Sequence, residues 1–288
     1  EWVIGFVKDN QTDTGYAINR LSGSTNFADP GTILCFHGIL DNYQSMKTLG
    51  ERAKLKLGGS SVFSFAFPWR DGAKKAGMEL AELLEPYKSK LKNITIVGYS
   101  QGVLVARYAL ERLVATASVK NCFLIAGPNL GGNLGLANAA DFAFEISKFW
   151  LNASVVSSPF LANVDDPAIK EFRSDSQFLA DLNTYRGKQR GDVDYALFAG
   201  DKDWAVSENS ALAKDVVLQE LTGGTVERHT IAGANHFNIK SNVSLIDRMF
   251  DSIGLIVGDE LTIVLDPPKE VDAQSDGWYY RFAVKNNT

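Results

Sequence analysis

Ile94-Thr-Ile-Val-Gly-Tyr-Ser-Gln-Gly-Val-Leu-Val-Ala-Arg-Tyr-Ala-Leu110 is the stretch whose reading decides the fold. Its first four residues are all β-branched, the pattern of a short strand buried on both faces. From Val103 onward, apolar residues recur at helical spacing. Between the two lies Gly98-Tyr-Ser-Gln-Gly102, the one match to G-x-S-x-G in the chain. With 21 serines and 25 glycines among 288 residues, chance supplies roughly 0.2 such matches. The pentapeptide therefore takes its meaning from the strand before it and the helix after it. A sharp strand-to-helix turn pushes a serine out at the carboxyl end of a sheet, and a glycine two residues to either side lets that turn pack closely.

The same alternation extends outward. Runs at 32–36, 61–65, 93–97 and 122–125 are short and nearly continuous in Val, Ile, Leu and Phe. Segments 43–57, 72–90 and 103–113 carry apolar residues at three- and four-residue steps and read as crossover helices. Strand patterns return at 195–199 and 226–231 around a helical 207–221. At the front, 2–7 and 16–18 flank a turn-prone 8–15 and suggest an opening hairpin. This is an α/β chain with a mostly parallel central sheet and helices on both faces. Residues 127–192 are too many for one crossover, since βα and αβ loops usually run about 2–6 residues. They read as an insertion with helices at 136–151 and 168–183, divided by a polar 152–167. In the tail, 257–288, strands at 260–265 and 278–284 join across Pro267-Pro268. Roughly 30 residues are too few to be stable alone, so a hairpin on one domain spanning 1–288 is expected.

Composition narrows the function classes. Apolar residues make up 45% of the chain, enough for a full core, and no segment is of low complexity, which excludes a disordered or fibrous protein. A net charge of -5 with no Lys/Arg block gives no electrostatic footprint for nucleic acid. No uncharged apolar run reaches about 18 residues, so no transmembrane helix is expected. A basic-then-apolar leader does not open the chain, and the compartment stays open between cytoplasm and secretion. Cys35 and Cys122 each sit in an apolar run and read as buried small hydrophobes, with no metal-ligand spacing. Oligomeric state is not legible.

Two loops beyond the serine bring further chemistry. Gly200-Asp-Lys-Asp-Trp-Ala-Val206 follows the strand at 195–199 and offers Asp201 and Asp203, either of which could cap the following segment. Ala232-Gly-Ala-Asn-His-Phe237 follows the strand at 226–231. Of the three histidines, His37 ends one strand, His229 lies within another, and His236 sits in a loop past a strand end. A serine hydroxyl is a weak nucleophile near pH 7. An imidazole of pKa near 6.5 can take its proton and return it to a leaving group, and a carboxylate fixes the imidazole tautomer.

Together these segments resemble the α/β-hydrolase family, and its lipase and esterase branch, over nearly the whole chain. The resemblance implies a nucleophile, acid and base in the order Ser100, Asp203 and His236. It selects Asp203 over Asp201, because the family's acid stands three residues after the glycine and three before the valine. Leu34-Cys-Phe-His-Gly-Ile-Leu40 resembles the branch's oxyanion loop. That implies backbone N–H donors at Ile39 and Gln101, with His37 holding the loop. Phe123-Leu-Ile-Ala-Gly-Pro-Asn-Leu-Gly-Gly132 and Phe172-Arg-Ser-Asp-Ser-Gln-Phe-Leu-Ala-Asp-Leu-Asn183 resemble two further lipase segments, with Asn129 where histidine is usual. The helical insertion is then a candidate lid or a fixed packed cap, with Phe149 and Trp150 on its apolar face.

The expectation is a serine hydrolase cleaving apolar carboxylic esters, small-molecule or lipid, through an acyl-serine intermediate and without cofactor or metal. Acyl transfer, thioester or amide cleavage by the same three residues, and a catalytically silent binding protein on the same fold, are the alternatives.

Overall fold

A computed structural model of the chain describes residues 13–23, 25–26, 31–39, 41–57, 61–87, 91–109, 119–132, 165–184, 193–216, 223–254, 263–265 and 282–284. Among them β1 (Ala17–Ser22), β2 (Ile33–Phe36), β3 (Val62–Ala66), β4 (Ile94–Tyr99), β5 (Val119–Ile125), β6 (Val193–Gly200) and β7 (Gly223–Ile231) form one sheet, in the order β1-β3-β2-β4-β5-β6-β7. β1 runs antiparallel to β3 at the edge; every other neighbouring pair is parallel. The helices are α1 (Lys47–Leu57), α2 (Gly72–Leu84), α3 (Gln101–Tyr108), α4 (Pro167–Phe172), α5 (Gln177–Thr184), α6 (Glu208–Ala211) and α7 (Val243–Gly254). None is long and apolar enough to cross a membrane. This is the α/β-hydrolase architecture.

Alternation along the strands builds two apolar layers. Leu34 and Phe36 of β2, Ile94 and Ile96 of β4, Cys122 and Leu124 of β5, and Tyr195 and Leu197 of β6 pack with α2, α3, α4 and α5. The intervening Ile33, Cys35, Val97, Tyr99, Phe123, Ile125 and Phe198 pack on the opposite face with α1 and α7. Both cysteines are buried, and neither forms a disulfide among the described residues. Helix α7 escapes the strand-and-crossover reading of the sequence, yet its buried Leu245, Ile246, Met249 and Phe250 mark one helical face. Ion pairs Arg52–Asp247 and Lys56–Asp251 tie it to α1.

Several expected elements are corrected. The helix expected at 72–90 ends at Leu84 and tightens into a 3-10 turn at Glu85–Tyr87, because Pro86 has no N–H to continue the ladder. The single helix expected at 168–183 is two, α4 and α5. Arg173 adopts extended backbone between them, and the Ser176 hydroxyl accepts from Leu179 N to start the second. Within the helix expected at 207–221, the described residues form α6 and then turns through Val216, and the Leu212, Ala213 and Val216 carbonyls accept from the Arg228 guanidinium; residues 217–221 lie outside the described residues. The strand expected at 16–18 is β1, Ala17–Ser22, and pairs with β3. Its expected hairpin partner at 2–7 and the insertion helix at 136–151 lie outside the described residues. In the tail, β8 (Ile263–Leu265) and β9 (Phe282–Val284) pair antiparallel in a separate two-stranded sheet.

The two further lipase-like segments converge on one buried cation. Arg107 of α3 donates to Asn129 Oδ1 and Asn183 Oδ1, both at 3.0 Å, and Asn183 Nδ2 donates to Asn129 O at 2.7 Å. Ser210 Oγ accepts from Leu130 N and donates to Gly131 O. The loop after β5 is thereby tied to α3, α5 and α6.

Glycines set the closest approaches. A Cβ on Gly102 would lie 2.4 Å from the Phe36 carbonyl oxygen, whereas one on Gly15 would meet nothing within 4 Å. Gly102→Ala should therefore cost at least about 1–3 kcal/mol. Gly15→Ala should stay within about 0.5 kcal/mol. Urea midpoints at unchanged m-value check both.

Glu171 of α4 accepts from Ala73 N and, at 3.2 Å, from Lys74 N at the start of α2. Burial pushes its carboxyl from an ordinary 4.5 up to about 7, against those two donors. The folded chain then keeps this proton where the unfolded chain has lost it. The group's contribution is full below pH about 4.5 and is lost as pH rises through about 7, on the order of 3 kcal/mol in all. Stability measured across this window should fall with rising pH, and Glu171→Gln should flatten that segment. An unchanged slope in the variant would assign it to other groups.

Candidate active site

Ser100 occupies the turn between β4 and α3 with φ +52° and ψ −121°, a conformation few non-glycine residues adopt. Its N–H donates to Ile125 O of β5, and its carbonyl accepts from Val103 N. The motif glycines are required by space. A Cβ on Gly98 would meet Val103 Cα at 2.9 Å, and one on Gly38 would meet Ser100 Cβ at 2.9 Å. The loop after β2 thus lies directly against the serine.

His236 reaches the serine from the loop after β7. That loop turns at Gly233, with φ +72°, and Asn235 Oδ1 accepts from both Phe237 N and Asn238 N. The imidazole Nε2 is 3.0 Å from Ser100 Oγ, and Nδ1 is 2.8 Å from Asp203 Oδ2. An ionised carboxylate only accepts, so Nδ1 carries the proton and the Nε2 lone pair faces the hydroxyl. All three groups are buried.

Asp203 leaves β6 with both oxygens committed. Oδ2 takes the imidazole, while Oδ1 accepts from Ala205 N and Val206 N, each at 2.9 Å. The cap of α6 is Ser207, whose hydroxyl accepts from Ser210 N. Asp201 is exposed and accepts from Gly233 N at 2.7 Å, joining the acid and histidine loops without meeting the imidazole.

The remaining sequence candidates separate. Gln101 opens α3, so its N–H has no intrahelical partner and sits at the positive end of that helix beside Ser100. Its buried side chain donates to Trp69 O. Ile39 lies in the loop after β2, next to Gly38. His37 is buried against Phe67 at 4.0 Å. Its Nδ1 faces Gly38 O at 2.9 Å, and its Nε2 lies 3.1 Å from Asp13 Oδ2 but out of line for a hydrogen bond. His229 faces Glu227 on β7. Phe149 and Trp150 lie outside the described residues.

One participant escapes sequence reasoning. The Tyr99 phenol donates to the His236 carbonyl oxygen at 2.7 Å. Burial pushes its pKa well up, and the Asp41 and Asp203 carboxylates push the same way, so it stays a donor. Its place as the first x of G-x-S-x-G carries no rule that would mark it.

The arrangement can move a proton from a hydroxyl to a neutral imidazole whose far N–H is held by a buried carboxylate.

Solved structures share this fold at low identity. RedJ, a thioesterase from the prodiginine biosynthetic pathway in Streptomyces coelicolor, superposes with TM-score 0.55 at 17% identity, covering 81% of this chain and 95% of its own. BorB, a type II thioesterase from the borrelidin biosynthetic cluster, gives 0.54 at 18%, covering 83% and 96%. The Bacillus licheniformis lipase BlEst2 gives 0.53 at 17%, covering 83% and 97%. No curated protein matches the chain. The palmitoyl protein thioesterase family model matches residues 32–209, a stretch that holds the loop after β2, the serine turn and the acid loop and stops short of His236. With more than half of its length inside that match, the chain belongs to the palmitoyl protein thioesterase family, hydrolases of the α/β fold.

Proposed function

We propose that this protein hydrolyses thioesters of apolar acyl chains through an acyl intermediate on Ser100. The observation that carries the reading is the continuous pair of hydrogen bonds from Ser100 Oγ through His236 to Asp203. The sequence alone favours a carboxylic ester, with thioester among the alternatives; membership of the thioesterase family supports putting the thioester first.

In this reading His236 Nε2 takes the Ser100 proton as Oγ attacks the acyl carbon. The developing oxyanion accepts from the backbone N–H groups of Ile39 and Gln101; one such donor is worth roughly 2.7–4 kcal/mol in the transition state. The carbonyl re-forms, the thiol leaves, and His236 returns the proton. A thiol with pKa near about 8.5 leaves readily as thiolate, so the first step asks less of the imidazole than an alcohol would. Water, deprotonated by His236, then releases the acid and restores Ser100. The chemistry needs no cofactor.

A fluorophosphonate probe should label the wild type and fail on Ser100→Ala, whose melting temperature should stay near wild type. Undiminished labelling of the variant would falsify the nucleophile. A long-chain acyl thioester should be turned over with higher kcat/KM than the matched oxyester, and the reverse order would return the ester reading to first place.

The two aspartates give an independent check. Asp203→Asn should lower kcat by up to about 10⁴, because the amide can hold the wrong imidazole tautomer. Asp201→Asn keeps an acceptor for Gly233 N and should leave kcat little changed. If Asp201→Asn is the inactive one, the acid has been misassigned.

A further inference from the structure

Asp41 follows the proposed oxyanion donor Ile39 by two residues, and Lys240 follows His236 by four. Both side chains are largely buried, at 6% and 17% exposure, and the Lys240 ammonium is bonded to Asp41 Oδ2. Asp41 Oδ1 has no hydrogen-bond partner among the described residues, so the ammonium is the contact that compensates this buried charge. The same ammonium stands 4.9 Å from the centre of the Tyr99 ring, on its face. Tyr99 precedes Ser100, and its phenol holds the His236 carbonyl. One cation thus touches the loop after β2, the serine turn and the histidine loop.

The topology sets a distance for the histidine loop to cover. β7 is separated from β4 by β5 and β6, so the histidine loop must return across three strand spacings, roughly 14 Å, to meet the serine. We propose that Lys240 and Asp41 are positioning residues, which clamp the histidine loop to the oxyanion loop across Tyr99 and so set the imidazole and the oxyanion donors relative to Ser100. The inference rests on the reading of Ser100 and His236 given above. A misplacement of about 1 Å in such an arrangement can cost about 10²-fold in rate.

The test uses p-nitrophenyl butyrate turnover by the full chain. Lys240→Met should lower kcat about 10- to 100-fold with KM within about twofold, and Lys240→Arg should restore most of kcat. Lys56→Met removes a more exposed ion pair on the α1–α7 side and should leave kcat unchanged, whatever it does to the melting temperature. Lys240→Met strands a buried carboxylate, so Asp41→Leu/Lys240→Met, which removes both charges, covers the case in which the single variant does not fold. Low kcat in that double variant at near-wild-type melting temperature supports the clamp. Wild-type kcat in either folded variant, or a loss of kcat in Lys56→Met as large as in Lys240→Met, overturns it. If Ser100→Ala retains full turnover, the site reading fails and the clamp falls with it. If Ser100→Ala is inactive while Lys240→Met keeps wild-type kcat, the clamp alone is wrong.

Discussion

Helix α3 packs so closely on β2 that the Phe36 carbonyl oxygen occupies the space a methyl group on Gly102 would need. That approach sets the serine turn. To leave β4 and enter α3 at this depth, the chain must reverse within one residue, and Ser100 takes a positive φ to do it. Such a conformation costs on the order of 1–3 kcal/mol and persists only where its surroundings over-determine it. Here they do. Val103 and Leu104 are buried beneath the turn, the Ser100 N–H is held by β5, and Gly38 brings the next loop against the serine Cβ. The turn is the reference against which the other loops are placed.

Legibility follows how local the cause is. The parallel strands could be read because burial on both faces demands unbroken apolar runs, and β2 and β4 fall within a residue or two of their expected starts. The serine turn could be read because Gly98 answers a steric demand made by Gly102 and Val103, its neighbours in sequence, even though Gly102 itself answers to β2. The helix expected at 207–221 could not be judged locally. After α6 the described residues turn instead, and Arg228, which lies on β7, takes the carbonyls of Leu212, Ala213 and Val216. The break between α4 and α5 hangs on Ser176, which the helical period of the segment overrides on paper. Helix α7 carries a clear apolar face, but its residues follow the last strand pattern of the parallel sheet, where a crossover scheme no longer asks for a helix.

The candidate site divides in the same way. Ser100, His236 and Asp203 stand in loops that follow strand patterns, and the structure brings the three together. Choosing Asp203 over Asp201 needed a family register, because nothing local separates two aspartates two residues apart. The structure supplies the physical difference: Asp201 bonds the histidine loop's backbone from outside, whereas Asp203 turns inward and splits its oxygens between two loop amides and the imidazole. Those amides hold the carboxylate's orientation independently of the histidine. Tyr99, Asp41 and Lys240 carry no pattern at all, since what joins them is a meeting of three loops that sequence separates by up to 199 residues.

The family match ends at residue 209, and the histidine loop beyond it is joined to the matched stretch through packing and hydrogen bonds. Among the described residues from β2 to the acid loop, glycines that admit no Cβ and a network around Arg107 that ties the β5 loop to three helices set how the elements approach one another. A residue changed there disturbs several elements at once. The histidine loop meets a demand of the same kind, since a Cβ on Gly200 would lie 2.3 Å from the Ala234 carbonyl oxygen. Its own turn is held from within by Asn235 and Asn238 and from the acid loop by Asp201 on Gly233 N and Lys202 N on the Ala234 carbonyl. Past that turn the loop is fastened toward the serine by Tyr99 on the His236 carbonyl and by Asp41 on Lys240, so the imidazole is held from both the acid side and the oxyanion side.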